Sequence, residues 1–372
     1  MSREALRERL SVMITGFVFV LMFVGCGLHF DRFLTLRVFM NLFSDNAFLG
    51  VVAVGMTFVI LTGGIDLSVG SMVGCTSIMA AWLMQNTHMH ALAAMGIPLL
   101  FGIAIGAIQG YLIARFNLPP FLITLAGLFF CRGIALLIST ASLQIDRPAF
   151  NALASYSISL PGKASLPTAS IVFLAVVAIA MFISRQTQFG RNVYAIGGSS
   201  ASATLMGLPV RRTLILVYVL SGFCSALGGV VFTLYVLSGY GLQAQGMELD
   251  AIAATVIGGT LLTGGVGYVF GSVFGVGILG TIQALITFDG TLSSWWTRIV
   301  IGALLCAFCL LQRVIERHAA RRKSNGTGLY APADTADTAD TADTADTGGN
   351  PRAPRAGTKD KPGDYGAMVS RT

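Results

Sequence analysis

Residues 92–114 run for the length of a membrane-crossing helix without one Asp, Glu, Lys or Arg. About 20 mostly apolar residues suffice to cross the hydrocarbon core of a bilayer, and within that core the chain must satisfy its own backbone polar groups, as a helix does. Similar stretches recur along the sequence. Candidate spans fall near 11–30, 46–62, 71–86, 92–114, 119–140, 168–184, 214–237, 250–264, 266–288 and 296–312. The expectation is an all-α, polytopic membrane protein with about ten transmembrane helices. The second, third and eighth spans are short and rich in glycine, and the eighth carries the weakest pattern.

Composition closes the alternatives. Hydrophobic residues make up 54% of the chain and charged residues only 11%, where an ordinary soluble domain carries about 25% charged. Mean hydropathy is +0.75. A soluble enzyme is excluded, because the chain cannot cover a globule with ionised surface. The 44 glycines suit helices that approach one another closely in lipid. The six cysteines, Cys26, Cys75, Cys131, Cys224, Cys306 and Cys309, all sit in apolar runs, which reads as packing. Cys306-Ala-Phe-Cys309 lacks the surroundings of a redox motif.

Charge gives the orientation. With the N-terminus in the cytoplasm, the inside segments hold Arg3, Arg7, Arg9, Arg115, Arg185, Arg191, Arg211, Arg212, Arg313, Arg317, Arg321, Arg322 and Lys323. The outside segments hold Arg32, Arg37, Arg147, Lys163 and Arg298. Cytoplasmic loops carry the basic excess, so both ends are expected inside. A basic start before an apolar run also describes a signal peptide, but removing the first span would spoil this bias. Because the basic residues flank apolar spans and form no single surface, a nucleic-acid partner is rejected. Residues 1–323 therefore read as a transmembrane domain. Residues 324–372, where Ala-Asp-Thr repeats from Ala333 to Thr347, read as a disordered low-complexity cytoplasmic tail, too polar to offset the entropy of ordering.

An internal echo points to a duplication. Thr62-Gly-Gly-Ile-Asp-Leu-Ser-Val-Gly70 joins the second and third spans, and Thr263-Gly-Gly-Val-Gly267 joins the eighth and ninth. Paired glycine breaks in the two halves of a chain are a pointer to a duplicated transporter with its pathway at the repeat interface. Gly275-Val-Gly277-Ile-Leu-Gly280 matches a dinucleotide fingerprint in letters only, since no strand precedes it. With Gly267 and Gly271 it offers a close-packing face, as do Gly102, Gly106 and Gly110. No phosphate-binding GxxxxGK[ST] run occurs, so the chain shows no ATPase of its own. His88-Met-His90 reads as a short loop with two unrelated histidines, and no metal is expected.

Three features carry functional weight. Asp66 lies in a glycine-rich break near membrane depth, where an acid is costly and marks a functional site by default. The competing reading is that it caps the next helix at Ser68 and Val69. Arg132, inside the fifth span, either snorkels or pairs with an acid such as Asp66. The inside segment 185–213 is long, basic and interrupted by glycine, with a short helix expected at 200–206. Such a helix either docks into a partner's groove or is a surface loop.

The motifs then resemble a known family. Asn46-Ala-Phe-Leu-Gly50, Val54 through Ser71, Phe189-Gly-Arg-Asn-Val-Tyr-Ala-Ile-Gly-Gly198 with Leu205-Met-Gly207, and Glu248 through Gly265 resemble the permeases of ribose-type bacterial ABC sugar importers over residues 12 to about 315. Within the family, Phe288-Asp-Gly-Thr-Leu-Ser-Ser-Trp-Trp-Thr297 is most similar to a permease of the galactofuranose importer; related permeases carry ribose, xylose or arabinose. The resemblance implies an inner-membrane transport subunit that binds no cofactor itself. A separate ABC ATPase would use ATP and Mg, a periplasmic sugar-binding protein would deliver the sugar, and a second, sister permease would complete a heterodimer. It implies that the coupling element to the ATPase comprises Gly190, Arg191, Asn192, Ala195, Gly197, Gly198, Ala203, Met206 and Gly207. Candidate sugar contacts, chosen because hydroxyl-rich ligands want amides, acids and aromatic faces, are Asn46, Asp66, Gln109, Phe129, Gln283 and Trp295. An ion-coupled secondary transporter is the alternative; it would need titratable relays in the membrane, which are scarce here.

Overall fold

A computed structural model gives the structure of residues 3–31, 33–161, 164–291, 293 and 295–326, with side chains described within 12–310. The Ala-Asp-Thr segment, Arg32 and Lys163 lie outside the described residues. One compact unit runs from Met1 to Ala320; a second unit begins at Arg321, and of it only the end of the last helix is described.

The elements follow in the order α1 (Arg3–His29), α2 (Leu36–Asp45), α3 (Ala47–Leu61), α4 (Val69–Asn86), α5 (Ala91–Phe116), α6 (Pro120–Ile138), α7 (Pro148–Ser155), α8 (Thr168–Gln186), α9 (Gln188–Gly198), α10 (Ser200–Leu205), α11 (Val210–Val236), α12 (Met247–Ile257), α13 (Val269–Asp289) and α14 (Trp295–Gly326). Two small antiparallel pairs accompany them. Strand β1 (Leu143–Gln144) pairs with β4 (Ser238–Gly239), and β2 (Ser157–Leu160) with β3 (Ala164–Pro167), Ser157 opposite Pro167.

Among the described residues six helices are long and apolar enough to cross a membrane, or seven if the bent pair α2–α3 is one span. This corrects the expectation of about ten. The eighth expected span is an 11-residue helix, α12, stopped by Gly258 and by Gly259, whose φ of +93° a helix cannot use. The third, α4, carries Gly, Ser, Thr, Gln and Asn, and polar composition keeps it out of the apolar set. The second begins earlier than expected and bends by 59° between α2 and α3.

The centre of the molecule is α3. It is apolar on every face and buried at every position except Phe48, as a helix hydrophobic all round must be. Phe58, Met56, Ile60 and Leu61 pack there with Tyr218 of α11 and Phe173 of α8. The glycine faces do what their spacing suggested. A Cβ on Gly106 would strike the Tyr218 carbonyl, one on Gly102 would lie 2.6 Å from the Gly222 oxygen, and one on Gly110 2.9 Å from Ile215 Cα, so α5 lies backbone to backbone on α11. Likewise Gly271 and Gly275 bring α13 against Gly258 and Ala254 of α12. The outer faces are apolar and exposed, with Leu137 at 87% and Leu100 at 67%, the surface that a bilayer covers.

Candidate functional site

Two regions have geometry suited to a function, and α3 and α12 connect them. The first is a cavity of about 390 Å³ at the end of the bundle where these two helices begin, inside the ~300–1,000 Å³ range of small-molecule sites. Its polar lining is Asn46, Gln243, Gln245, Asp250, Gln283 and Arg298, and its apolar lining includes Phe48, Phe232, Leu49 and Met247. Asn46 stands at the α2–α3 bend and donates through Nδ2 to the Leu42 carbonyl at 3.0 Å, which fixes its amide. Asp250 lies on the first turn of α12, Gln283 on α13 and Arg298 on α14.

The segment Gly239–Gly246, between α11 and α12, forms one wall. Two guanidiniums hold it. Arg132 of α6 donates from Nη1 to the carbonyls of Gly241 at 2.6 Å and Gln243 at 2.9 Å, and Arg298 donates to the Gln245 carbonyl at 3.1 Å. The fate of Arg132 is thus a pair of backbone carbonyls rather than the Asp66 carboxylate. Gly74 allows this, because a Cβ there would come within 2.9 Å of the guanidinium. Oε2 of Glu248 is buried and has no hydrogen-bond partner among the described residues.

Asp66 lies elsewhere, buried in the break between α3 and α4. Its Oδ1 accepts from the backbone N–H of Ser68 at 2.9 Å and from its hydroxyl at 2.6 Å; its Oδ2 accepts from the Ser221 hydroxyl at 2.7 Å. The carboxylate therefore braces the start of α4 and ties it to α11. Gln109 is buried close by, its Oε1 3.4 Å from the Ser68 hydroxyl. Of the six residues named from sequence for sugar contact, Asn46 and Gln283 line the cavity; Asp66 and Gln109 form this brace. Phe129 and Trp295 are 67% and 71% exposed and are not part of the lining. Asp250, Arg298, Gln243 and Gln245 were not named. Their signal was present: Asp250 lies within the Glu248–Gly265 motif, Gln243 and Gln245 just before it, and Arg298 at the start of the last apolar span.

The second region is at the far ends of α3 and α12. Here the short helix expected at 200–206 is α10, and residues 188–198, read from the sequence as part of a glycine-interrupted loop, form a second helix, α9. Thr187 Oγ1 caps α9 by accepting from the Gly190 N–H at 3.1 Å, and Ser199 Oγ caps α10 by accepting from Ser202 N–H at 3.2 Å. Gly190 is buried where α8 turns into α9, a Cβ there colliding with the Ser184 carbonyl. Val193, Ile196 and Ala203 are buried inward, while Arg191, Gly198, Met206 and Gly207 are exposed; Asn192 and Ala195 are half-buried. Leu205 is 90% exposed, a large apolar side chain left uncovered by this chain.

The two glycine breaks of the sequence meet here. The Gly265 N–H donates to the Leu61 carbonyl at 2.9 Å, and a Cβ on Gly264 would lie 2.8 Å from Gly63 N. Both Gly63 and Gly264 take φ near +80° (78° and 85°), a left-handed conformation that glycine adopts freely.

Comparison with known proteins gives the family. The family described as "Branched-chain amino acid transport system / permease component" matches residues 38–309. The inner membrane ABC transporter permease YjfF of Escherichia coli is 49% identical over 308 residues, 83% of this chain and 93% of that one. The fructose import permease FruG of Bifidobacterium longum is 39% identical, covering 83% and 92%. The ribose import permease RbsC of Escherichia coli is 34% identical, covering 74% and 85%. No solved structure matches. These relatives are transport components without an ATPase of their own, which sets aside the ion-coupled alternative. With a family match over most of its length and relatives this similar across nearly their whole chains, the protein belongs to the ribose-type permeases of bacterial ABC sugar importers, as a multi-pass subunit of the inner membrane.

Proposed function

We propose that this permease imports galactofuranose or a related furanose, as one half of a heterodimer with a sister permease. The observation that carries the reading is the cavity. Its amides, one carboxylate, one guanidinium and two phenyl rings are the groups that pair with sugar hydroxyls and cover the apolar face of a ring. The fructose named for one relative is, like galactose, a hexose with five-membered ring forms, and the Phe288–Thr297 resemblance points the same way. Ribose, xylose and arabinose are the competing cargoes.

In this reading the cavity faces the periplasm and receives sugar from a binding protein. Both termini are cytoplasmic, as is the α9–α10 element, where exposed Leu205 and Met206 and the cations Arg191, Arg211 and Arg212 meet the ATPase that binds ATP and Mg. The ATPase can drive transport only by making contacts there that differ between the inward-open and outward-open states.

The test is uptake by the purified importer in proteoliposomes, with ATP inside and binding protein outside. Labelled galactose, which contains the furanose at equilibrium, is compared with ribose, xylose, arabinose and fructose. Preferred accumulation of galactose, competed by a methyl galactofuranoside and not by a methyl galactopyranoside, is expected. Preference for a pentose overturns the cargo, and a full complex containing two copies of this chain overturns the heterodimer.

A further inference from the structure

We infer that Tyr194 and Gly197 are positioning residues that lock α9 to the junction of the two glycine breaks, so that α9, α3 and α12 move together. This rests on the reading of α9–α10 as the ATPase contact and adds the inner half of that contact.

Four observations converge. First, Gly197 touches both breaks at once: a Cβ there would collide with the Leu61 carbonyl and lie 2.9 Å from Gly265 Cα. The Leu61 oxygen it rests on is the one that accepts the Gly265 N–H at 2.9 Å. Second, the Tyr194 hydroxyl donates to the Gly267 carbonyl at 2.9 Å, one turn before Gly197 on α9. Third, Phe189 stacks on Phe58 of α3, with ring centroids 6.1 Å apart and planes 24° from parallel. Fourth, the Arg185 guanidinium sits 4.6 Å from the centre of the Tyr268 ring, a cation–π contact that ties α8 to the same loop.

The consequence is mechanical. Contacts this close between backbones leave no slack, because packed interfaces switch between discrete arrangements rather than deforming smoothly. A displacement of α9 must carry the end of α3 with it, and it pulls on the end of α12 through the 258–268 loop that holds Gly265 and Gly267 and donates from the Thr260 N–H to the Thr255 carbonyl of α12 at 3.1 Å. At 1.5 Å per residue, α3 is about 22 Å long and α12 about 16 Å. Their opposite ends bear Asn46, Phe48 and Leu49 on one helix and Met247 and Asp250 on the other, all in the cavity wall. The junction therefore links a push at one end of the bundle to the shape of the cavity at the other.

The experiment reads that link without needing the cargo. In the full importer, with the six native cysteines replaced, Gln245→Cys at the cavity rim reports opening through its rate of labelling by a membrane-impermeant maleimide. The rate is compared with and without ATP and vanadate. For the otherwise unaltered chain a several-fold change is expected. Tyr194→Phe, which removes one hydroxyl and keeps the ring, should shrink that change about fivefold, the factor corresponding to one lost hydrogen bond, while the ATPase still co-purifies in full. Gly197→Ala should abolish the change; should it fail to fold, Tyr194→Phe decides alone. An unshrunken response in Tyr194→Phe overturns the inference. So does loss of the ATPase in that variant, which would make Tyr194 a docking residue while leaving the ATPase reading intact. An unaltered chain that brings no ATPase overturns both.

Discussion

Arg132 carries a charge that does not titrate away into a helix bundle, and two carbonyls of the cavity wall receive it. Removing the side chain leaves those oxygens without their donor, at a cost of about 1–3 kcal/mol each if they stay buried. Arg132→Ala should therefore loosen Gly239–Gly246 and raise the sugar KM several-fold more than it lowers kcat, whereas Arg132→Lys, which keeps a donor, should recover part of the loss. An unchanged KM in the alanine variant would mean that the wall holds without the clamp. Asp66 predicts a different pattern, because its three hydrogen bonds are internal bracing. Asp66→Ala should lower the thermal midpoint of the detergent-purified protein well beyond Ser221→Ala, which loses one bond, about 1 kcal/mol. Equal shifts would show that the carboxylate does not hold the break. Sequence placed Asp66 in a costly environment and offered the Ser68 N–H as a partner, which it has, but it could not offer Ser221, which lies 155 residues away. Nor could it set Asn46 apart from Trp295 as a cavity group: both are chemically suited to sugar, and only the packing puts one at a bend over the cavity and the other 71% exposed.

At the scale of elements, glycine spacing was the most legible signal. A small residue every fourth position marks a face where another backbone can lie, and the α5–α11 and α12–α13 contacts follow it. Gly106→Leu should then prevent stable insertion, because the new side chain has only the Tyr218 backbone to occupy, while Gly133→Leu on α6, where no atom lies within 4 Å, should leave the amount of folded protein unchanged. Size-exclusion profiles of fluorescent fusions separate the two. Comparable loss in both would mean that the faces were misassigned. The number of spans was less legible. Hydropathy cannot tell a crossing helix from a buried one of 11 or 15 residues, since a helix wholly enclosed by other helices is as apolar as one in lipid. For that reason α12 reads as a span from its letters and turns out to be an 11-residue core strut, while α3 reads as a straight span and is the buried arm of a bent pair with α2. The bend of 59° at Asn46 and the pairing of β1 with β4, Leu143 opposite Gly239 and Gln144 opposite Ser238, depend on tertiary contacts that local pattern does not encode.

For the whole molecule the decisive fact is that cavity and junction occupy opposite ends of the same two helices. The two loci are separated by more than the ~10 Å over which substitutions couple strongly in stability, so their stability effects should add. Their functional effects should divide. Asn46→Ala and Gln283→Ala should change the ranking of sugars and the KM with little effect on sugar moved per ATP hydrolysed, because they alter what the cavity recognises. Tyr194→Phe should do the opposite, lowering sugar moved per ATP several-fold with the ranking of sugars preserved. The double variant Asn46→Ala with Tyr194→Phe should show both defects at once, each at its single-variant size. If Asn46→Ala by itself lowered the sugar-to-ATP ratio as far as Tyr194→Phe does, recognition and coupling would share one locus, and α3 would be part of the sugar's own trigger rather than a strut that transmits the ATPase stroke.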